Sequence, residues 1–359
     1  MAAQFHTLTI SHIRKETPNA VSLVLDVPPA LREEFSYKHG QYLTIRVHIG
    51  DKHFNRAYSL CSSPALNEPL TITIKNKESG FISAFINNNT QAGQTIEVMK
   101  PMGNFTRELS PDAENVYCLF AGGSGITPII SILKTILAVE LKSKVVLFYG
   151  NTDEENVIFR KELDQLQEKY NNRLTIIHTL DTPATTLKAI TGRLDKQQCL
   201  DLLDTYIGKD IPNAQYFICG PPQMMKQVED TLHAANISQN HIHREFFSAP
   251  IDGVLEPTPT SVEDNEPKER SVTIRLYGRE ETITVRPKET ILDSAIRNDL
   301  DPPYACQIAA CCTCRAKVVR GNVHMDSREA LTDEEMDDGY VLTCQSHPLT
   351  DDVIVDYDQ

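Results

Sequence analysis

The chain has 359 residues, 49 Asp and Glu against 35 Lys and Arg, and a net charge of −14 at pH 7. That balance argues against nucleic acid as a partner, and the length suffices for two or three domains that each bury a core. The most apolar stretch, Val116 to Leu137, is broken by three glycines and Pro128, which argues against a membrane span.

The first residues show neither a basic-then-apolar secretory pattern nor an Arg-rich transit pattern, so a cytoplasmic protein is expected. The nine cysteines are an odd number, and in a reducing compartment thiols stay available for metal.

Residues 1–110 read as short alternating strands at Phe5–Ser11, Val21–Val27, Tyr42–Val47 and Leu70–Lys75, separated by turn signals at Pro28-Pro29 and Gly40. This texture predicts an antiparallel β-barrel or sandwich. Within it, Arg56-Ala-Tyr58-Ser59 offers a cation, a flat aromatic and a hydroxyl on one strand. Gly80-Phe-Ile82-Ser83 then sets a glycine beside a hydroxyl, a combination able to cradle a phosphate.

Residues 111–248 alternate strands and helices, the pattern of an α/β domain with a parallel sheet. A strand at Val116–Phe120 runs into Gly122-Gly123-Ser124-Gly125-Ile126-Thr127-Pro128, and Ile129, Ile130, Leu133, Ile136 and Leu137 follow at helical spacing. Pro128 suits the first turn of that helix, and a glycine-rich turn opening a helix presents N–H groups to a phosphate. The dinucleotide fingerprint G-x-G-x-x-G is not met, because Pro128 stands at the third glycine position. A later strand, Tyr216–Cys219, ends in Gly220-Pro221 before another helix, so both turns are expected at one crevice.

Residues 249–270 hold four prolines, six acidic residues and no aromatic, which is linker composition. Residues 271–359 read as a hairpin, a helix opened by Thr290, a cysteine loop, a strand at Arg315–Val319 and a closing strand at Val353–Tyr357. Cys306, Cys311 and Cys314, with Cys344 far downstream, form C-x4-C-x2-C…C, the spacing of a plant-type [2Fe–2S] site. A zinc site with four cysteine ligands is the competing reading. The segment Gln307–Ala310 lacks the glycine that a loop with φ > 0 would favour, which predicts looser metal binding or a shifted potential. Cys61, Cys118, Cys199 and Cys312 read as packing residues.

Taken in order, Arg-x-Tyr-Ser, Gly80-x-x-Ser83, Gly-Gly-Ser-Gly-Ile-Thr-Pro and Cys219-Gly-Pro-Pro-x-Met resemble the ferredoxin–NADP reductase superfamily, and the last domain resembles a plant-type ferredoxin. The resemblance implies an FAD-binding β-barrel, an NAD(P)-binding α/β domain and a β-grasp-like α+β domain. It implies that Arg56 pairs with the flavin pyrophosphate, Tyr58 packs on the isoalloxazine ring and Ser59 hydrogen-bonds near its N5. Gly80, Ile82 and Ser83 would bind the flavin phosphates. Gly122, Gly123, Gly125 and Thr127 would bind the nicotinamide nucleotide, and Cys219, Gly220 and Pro221 would border hydride transfer. Cys306, Cys311, Cys314 and Cys344 would ligate the cluster. Ser79 departs from the family, which commonly has a glycine there.

This module order is similar to reductase components of multicomponent monooxygenases, those of phenylacetyl-CoA epoxidases among them. Electrons would then pass from NAD(P)H to FAD, to [2Fe–2S] and on to an oxygenase component, with the last domain swinging between its flavin and its partner. Between Ser271 and Gln359 there are 17 Asp and Glu against 9 Lys and Arg, a balance of −8 suited to charge-guided docking. Reduction of a hybrid-cluster protein, or redox sensing, are alternative roles. The acidic run Asp153-Glu154-Glu155 favours NADH over NADPH if it faces the nucleotide.

Overall fold

The computed structural model describes residues 4–77, 80–248 and 268–359. Ser79 and most of the proline-rich stretch read as a linker, residues 249–267, fall outside the described residues.

Alternating apolar residues build the first unit from strands β1 (Phe5–Thr17), β2 (Ala20–Asp26), β3 (Tyr42–Ile49), β4 (Lys52–Ser59) and β5 (Leu70–Lys75), helix α1 (Phe81–Asn89), and strand β6 (Thr95–Met99). The strands pair antiparallel in the order β4-β3-β6-β1-β2-β5. A bridge between Leu60 and Ile72 joins the two edges, so the sheet closes as a barrel rather than a sandwich. Leu43, Ile45 and Val47 of β3 point into its core, which leaves Tyr42, Thr44 and Arg46 on the outer face. Helix α1 starts at the segment that the sequence marks only as a phosphate loop.

The second unit contains β7 (Val116–Gly122), α2 (Ile126–Val139), β8 (Lys144–Asn151), α3 (Arg160–Lys169), β9 (Leu174–Leu180), β10 (Ala189–Thr191), α4 (Lys196–Tyr206), β11 (Gln215–Cys219), α5 (Pro222–Ala234) and β12 (Ile242–Glu245). Its sheet is parallel throughout, in the order β10-β9-β8-β7-β11-β12. The period of two divides β7 between two cores. Tyr117, Leu119 and Ala121 meet Ile129, Leu133 and Ile136 of α2, while Cys118 and Phe120 face Leu203 of α4 and Leu232 of α5. Strand order reverses beside β7, so the ends of β7 and β11 flank a crevice. Ser131 Oγ donates to Ser62 O at 2.6 Å and Lys134 Nζ to Glu68 at 2.7 Å, which ties α2 to the barrel.

The third unit contains β13 (Arg270–Leu276), β14 (Arg279–Val285), α6 (Ile291–Arg297), β15 (Arg315–Arg320), β16 (Val323–Met325), α7 (Asp333–Asp337), β17 (Tyr340–Leu342), β18 (Ser346–Pro348) and β19 (Val353–Asp356). A mixed sheet in the order β14-β13-β19-β15-β17 packs Val272, Ile274 and Val355 on Ile291 and Ala295 of α6. Thr290 Oγ1 accepts from Asp293 N at 3.1 Å and caps α6 as the sequence predicts. The cysteine loop connects α6 to β15 and lies against the barrel. Among the described residues no helix is long and apolar enough to cross a membrane.

Candidate functional site

Two cavities meet at the crevice. The first, about 530 Å³, lies between the barrel, the C-terminal end of the parallel sheet and the cysteine loop. The end of β4 contributes Arg56, Tyr58 and Ser59, and the first turn of α1 contributes Gly80, Ile82 and Ser83. Thr127, Cys306 and Cys311 complete its wall among the residues singled out in the sequence.

Local chemistry prepares these groups. Arg56 Nη1 is anchored on the Asn55 carbonyl at 2.7 Å, and burial pushes the Tyr58 phenol up to about 12. Ser83 Oγ donates to Gly80 O at 3.0 Å and accepts from Lys77 N at 3.1 Å, so its hydroxyl shapes the turn. What α1 offers a ligand is therefore its first-turn N–H groups, which a helix leaves without internal acceptors.

The sequence does not single out Glu245, which arrives from the end of β12, 186 residues after Ser59. Ser59 Oγ donates to Glu245 Oε2 at 2.9 Å. Burial raises this carboxyl to about 8, an effect the Ser59 bond partly offsets. Its only sequence signal is an acidic residue at the rim of an apolar Phe246-Phe247 pair.

The second cavity, about 360 Å³, is lined by Gly122, Gly123 and Pro221, with Asn151, Asp181 and Arg193 opposite. Lys75, which ends β5, lines both cavities. Asn151 is buried with neither Oδ1 nor Nδ2 partnered among the described residues. Arg193 grips Asp181 through Nε at 3.1 Å and Nη2 at 3.0 Å. The acidic run, which would disfavour a 2′-phosphate only if it faced the nucleotide, does not line the second cavity: Asp153 accepts from Asn156 N, and Glu154 accepts from Thr185, Thr186 and Arg160. Lys161 lines a different cavity.

Gly125, Cys219 and Gly220 line neither cavity; they join the two turns. A Cβ on Gly125 would meet Cys219 O at 2.1 Å, and one on Gly220 would meet Gly122 N at 2.9 Å. These glycines permit backbone contact between the ends of β7 and β11. Cys219 is fully buried, and burial beside Glu245 pushes its thiol well above the usual range.

Among the described residues no three ligand-type side chains converge on a single metal point. The four predicted cysteines stand instead as two adjacent pairs, Cys306 beside Cys311 and Cys314 beside Cys344. Backbone donors surround them: Ile308 N reaches Cys306 Sγ and Cys306 N reaches Cys311 Sγ, each at 3.4 Å. Thr313 N–H serves Cys311, and Ala309 N–H serves Cys344. The loop achieves this without glycine, because Gln307 and Ala309 adopt φ of 61° and 57°. That left-handed backbone costs about 1–2 kcal/mol per residue.

Comparison with known proteins assigns each unit. The oxidoreductase FAD-binding domain family matches residues 7–106, the oxidoreductase NAD-binding domain family residues 119–230, and the 2Fe-2S iron-sulfur cluster binding domain family residues 274–349. The chain is 35% identical over 355 residues to a component of 1,2-phenylacetyl-CoA epoxidase from Escherichia coli K12, covering 99% of this chain and 98% of that one. It is also 35% identical over 354 residues to the ferredoxin reductase component of 3-ketosteroid-9-alpha-monooxygenase from Rhodococcus rhodochrous, covering 98% and 96%. Among solved structures, phthalate dioxygenase reductase superposes with a TM-score of 0.59 at 23% identity, covering 98% of both chains.

Proposed function

Because this chain belongs to the oxidoreductases that join FAD-binding, NAD-binding and [2Fe–2S] domains in one polypeptide, we propose that it is the reductase component of a multicomponent oxygenase. It takes reducing equivalents from NAD(P)H and delivers them singly to a separate oxygenase. The observation that carries this reading is a shared wall: Cys306 and Cys311 line the same cavity as Arg56, Tyr58 and Ser59.

The residues fit the three groups. Two thiol pairs match a two-iron cluster, in which each iron takes two thiolates, better than a single zinc, which draws four ligands to one point. The unpartnered polar atoms of Asn151 suit a nucleotide in the second cavity, and the first-turn N–H groups of α1 suit a phosphate in the first. When bound, the nicotinamide supplies hydride, the flavin turns an electron pair into single electrons, and the cluster carries one electron at a time.

The chain's own residues do the rest. Arg56 and the start of α1, at Gly80, Ile82 and Ser83, neutralise the flavin diphosphate. Tyr58 covers the flavin ring and excludes water. Ser59, held by Glu245, keeps a proton at the cavity wall. Gly122, Gly123 and Pro221 position the nucleotide in the second cavity, Thr127 stands on the wall of the first, where the nicotinamide end would meet the flavin, and the contact of Gly125 with Cys219 and Gly220 sets the spacing of the two turns. Cys306, Cys311, Cys314 and Cys344 hold the cluster, and the loop amides stabilise its negative charge.

For the partner, identity to the Escherichia coli epoxidase component supports an epoxidase acting on phenylacetyl-CoA in aromatic degradation. The equal identity to the steroid monooxygenase reductase supports a second reading. Reconstitution with each oxygenase decides between them: turnover with only the steroid enzyme would reject the first.

For the nucleotide, the Asp181 carboxylate on the cavity wall repels a 2′-phosphate and occupies Arg193, the cation best placed to bind it. NADH is therefore the expected donor. Asp181→Asn frees Arg193 and should raise the ratio of kcat/KM for NADPH to that for NADH roughly fivefold, a modest change because the pair is exposed. An unchanged ratio would remove this pair from nucleotide selection.

A further inference from the structure

Cys312 is not one of the four paired thiols, yet it is buried, and the contact that buries it comes from another domain. Cys312 N donates to Tyr42 Oη at 3.1 Å, and the same oxygen lies 3.3 Å from Cys312 Sγ and 3.1 Å from Thr313 Oγ1. Thr313 Oγ1 is in turn 3.1 Å from Thr44 Oγ1. Two residues further along β3, Arg46 Nη2 donates to both Asp301 oxygens, at 2.8 and 2.9 Å. Arg46 is held for this contact by Asn55 Oδ1 at 3.1 Å and by stacking 3.9 Å above the Phe5 ring.

Tyr42, Thr44 and Arg46 alternate along β3, so the strand's period of two sets all three on the outer face of the barrel. An outward tyrosine and threonine on a barrel are ordinarily wet. Here they are 5% and 1% exposed, because the cysteine loop covers them.

We propose that Tyr42, Thr44 and Arg46 form a clasp by which the flavin barrel holds the [2Fe–2S] domain, with Tyr42 as the positioning residue that fixes the cysteine loop at the cavity wall. The clasp rests on the reading that flavin occupies the first cavity and the cluster its loop. Its chemistry suits reversible docking. Hydroxyls both donate and accept, so water replaces either partner on separation, and polar contacts between domains release more readily than apolar ones. The ionic tie makes docking sensitive to salt.

The test uses the full-length chain carrying its cofactors, with Tyr42→Phe and Arg46→Gln. In Tyr42→Phe, hydrogen exchange of the peptide spanning Cys306 to Cys314 should accelerate roughly tenfold, the factor one hydrogen bond supplies. On rapid mixing with NADH, the ratio of cluster-reduction to flavin-reduction rates should fall by a factor of roughly ten or more. Arg46→Gln touches neither cavity; it should leave flavin bleaching unchanged, lower the same ratio and weaken its dependence on ionic strength, because Arg244 still meets Glu329 of the third unit at 3.8 Å. Unaltered exchange in Tyr42→Phe overturns the clasp, and faster exchange with an unaltered ratio overturns the positioning role. A parent chain whose flavin is not bleached by nucleotide defeats the cofactor reading instead, and the exchange result still decides the clasp.

Discussion

Replacing Cys306 by serine is expected to cut NAD(P)H-dependent reduction of cytochrome c severely while the bound flavin is still bleached by the nucleotide. Cys306 lines the first cavity and pairs with Cys311, so the substitution removes a thiolate from the pair nearest the flavin. A hydroxyl is a poor replacement for a soft thiolate ligand of iron. One-electron delivery should fall roughly 100-fold, a loss of about 2.7 kcal/mol in transition-state terms. Hydride transfer depends on the ends of β7 and β11 and should be spared. If cytochrome c reduction persisted at the parent rate, the cluster would not be the exit, and redox sensing would become the better account of the cysteine loop.

Arg56→Ala should weaken FAD binding about 100-fold, because charge-assisted hydrogen bonds to a diphosphate contribute about 1.5–3 kcal/mol. Arg56 lines the cavity with its Nη1 anchored on the neighbouring carbonyl, so little side-chain entropy remains to be lost on binding. Titration of flavin-depleted protein with FAD, followed by fluorescence, reads the change directly. Binding unaltered within a factor of about two would remove Arg56 from the diphosphate site. The helix start beside it is expected to retain partial affinity, so loss is graded rather than complete.

The parts legible in the sequence are those in which local periodicity or spacing carries the information. Alternation along β3 and β5, helical spacing after Pro128 and the C-x4-C-x2-C run each depend on residues close in the chain. What was not legible is the meeting of distant segments. Ser59 and Glu245 are brought together only when the barrel packs on the parallel sheet. Lys75 becomes a shared wall only when two cavities form around it. The acidic run after β8 illustrates the same limit: whether its charge faces the nucleotide is open in the sequence, and only the folded loop shows Asp153 and Glu154 held by Asn156, Thr185 and Thr186 outside the wall of the second cavity. Cys312 reads as packing and is indeed buried, though the partner that buries it is Tyr42 of another domain.

The glycine-poor loop is a case in which the sequence posed the right question. Glycine is the usual answer to a left-handed backbone, yet Gln307 and Ala309 take that conformation and aim amides at the sulfurs. The strain belongs to the folded loop, where ligation by four thiolates can offset it.

The central claim is that electrons from NAD(P)H leave this chain one at a time through an iron–sulfur cluster fed by the flavin. Anaerobic addition of NADH to protein purified without oxygen, followed by visible absorption and electron paramagnetic resonance, tests it most directly. The account predicts about two irons per chain, flavin bleaching, and then a paramagnetic signal of roughly one spin per chain from the reduced [2Fe–2S] group. A chain carrying a single zinc, or one whose flavin bleaches while the cluster stays oxidised, would contradict it.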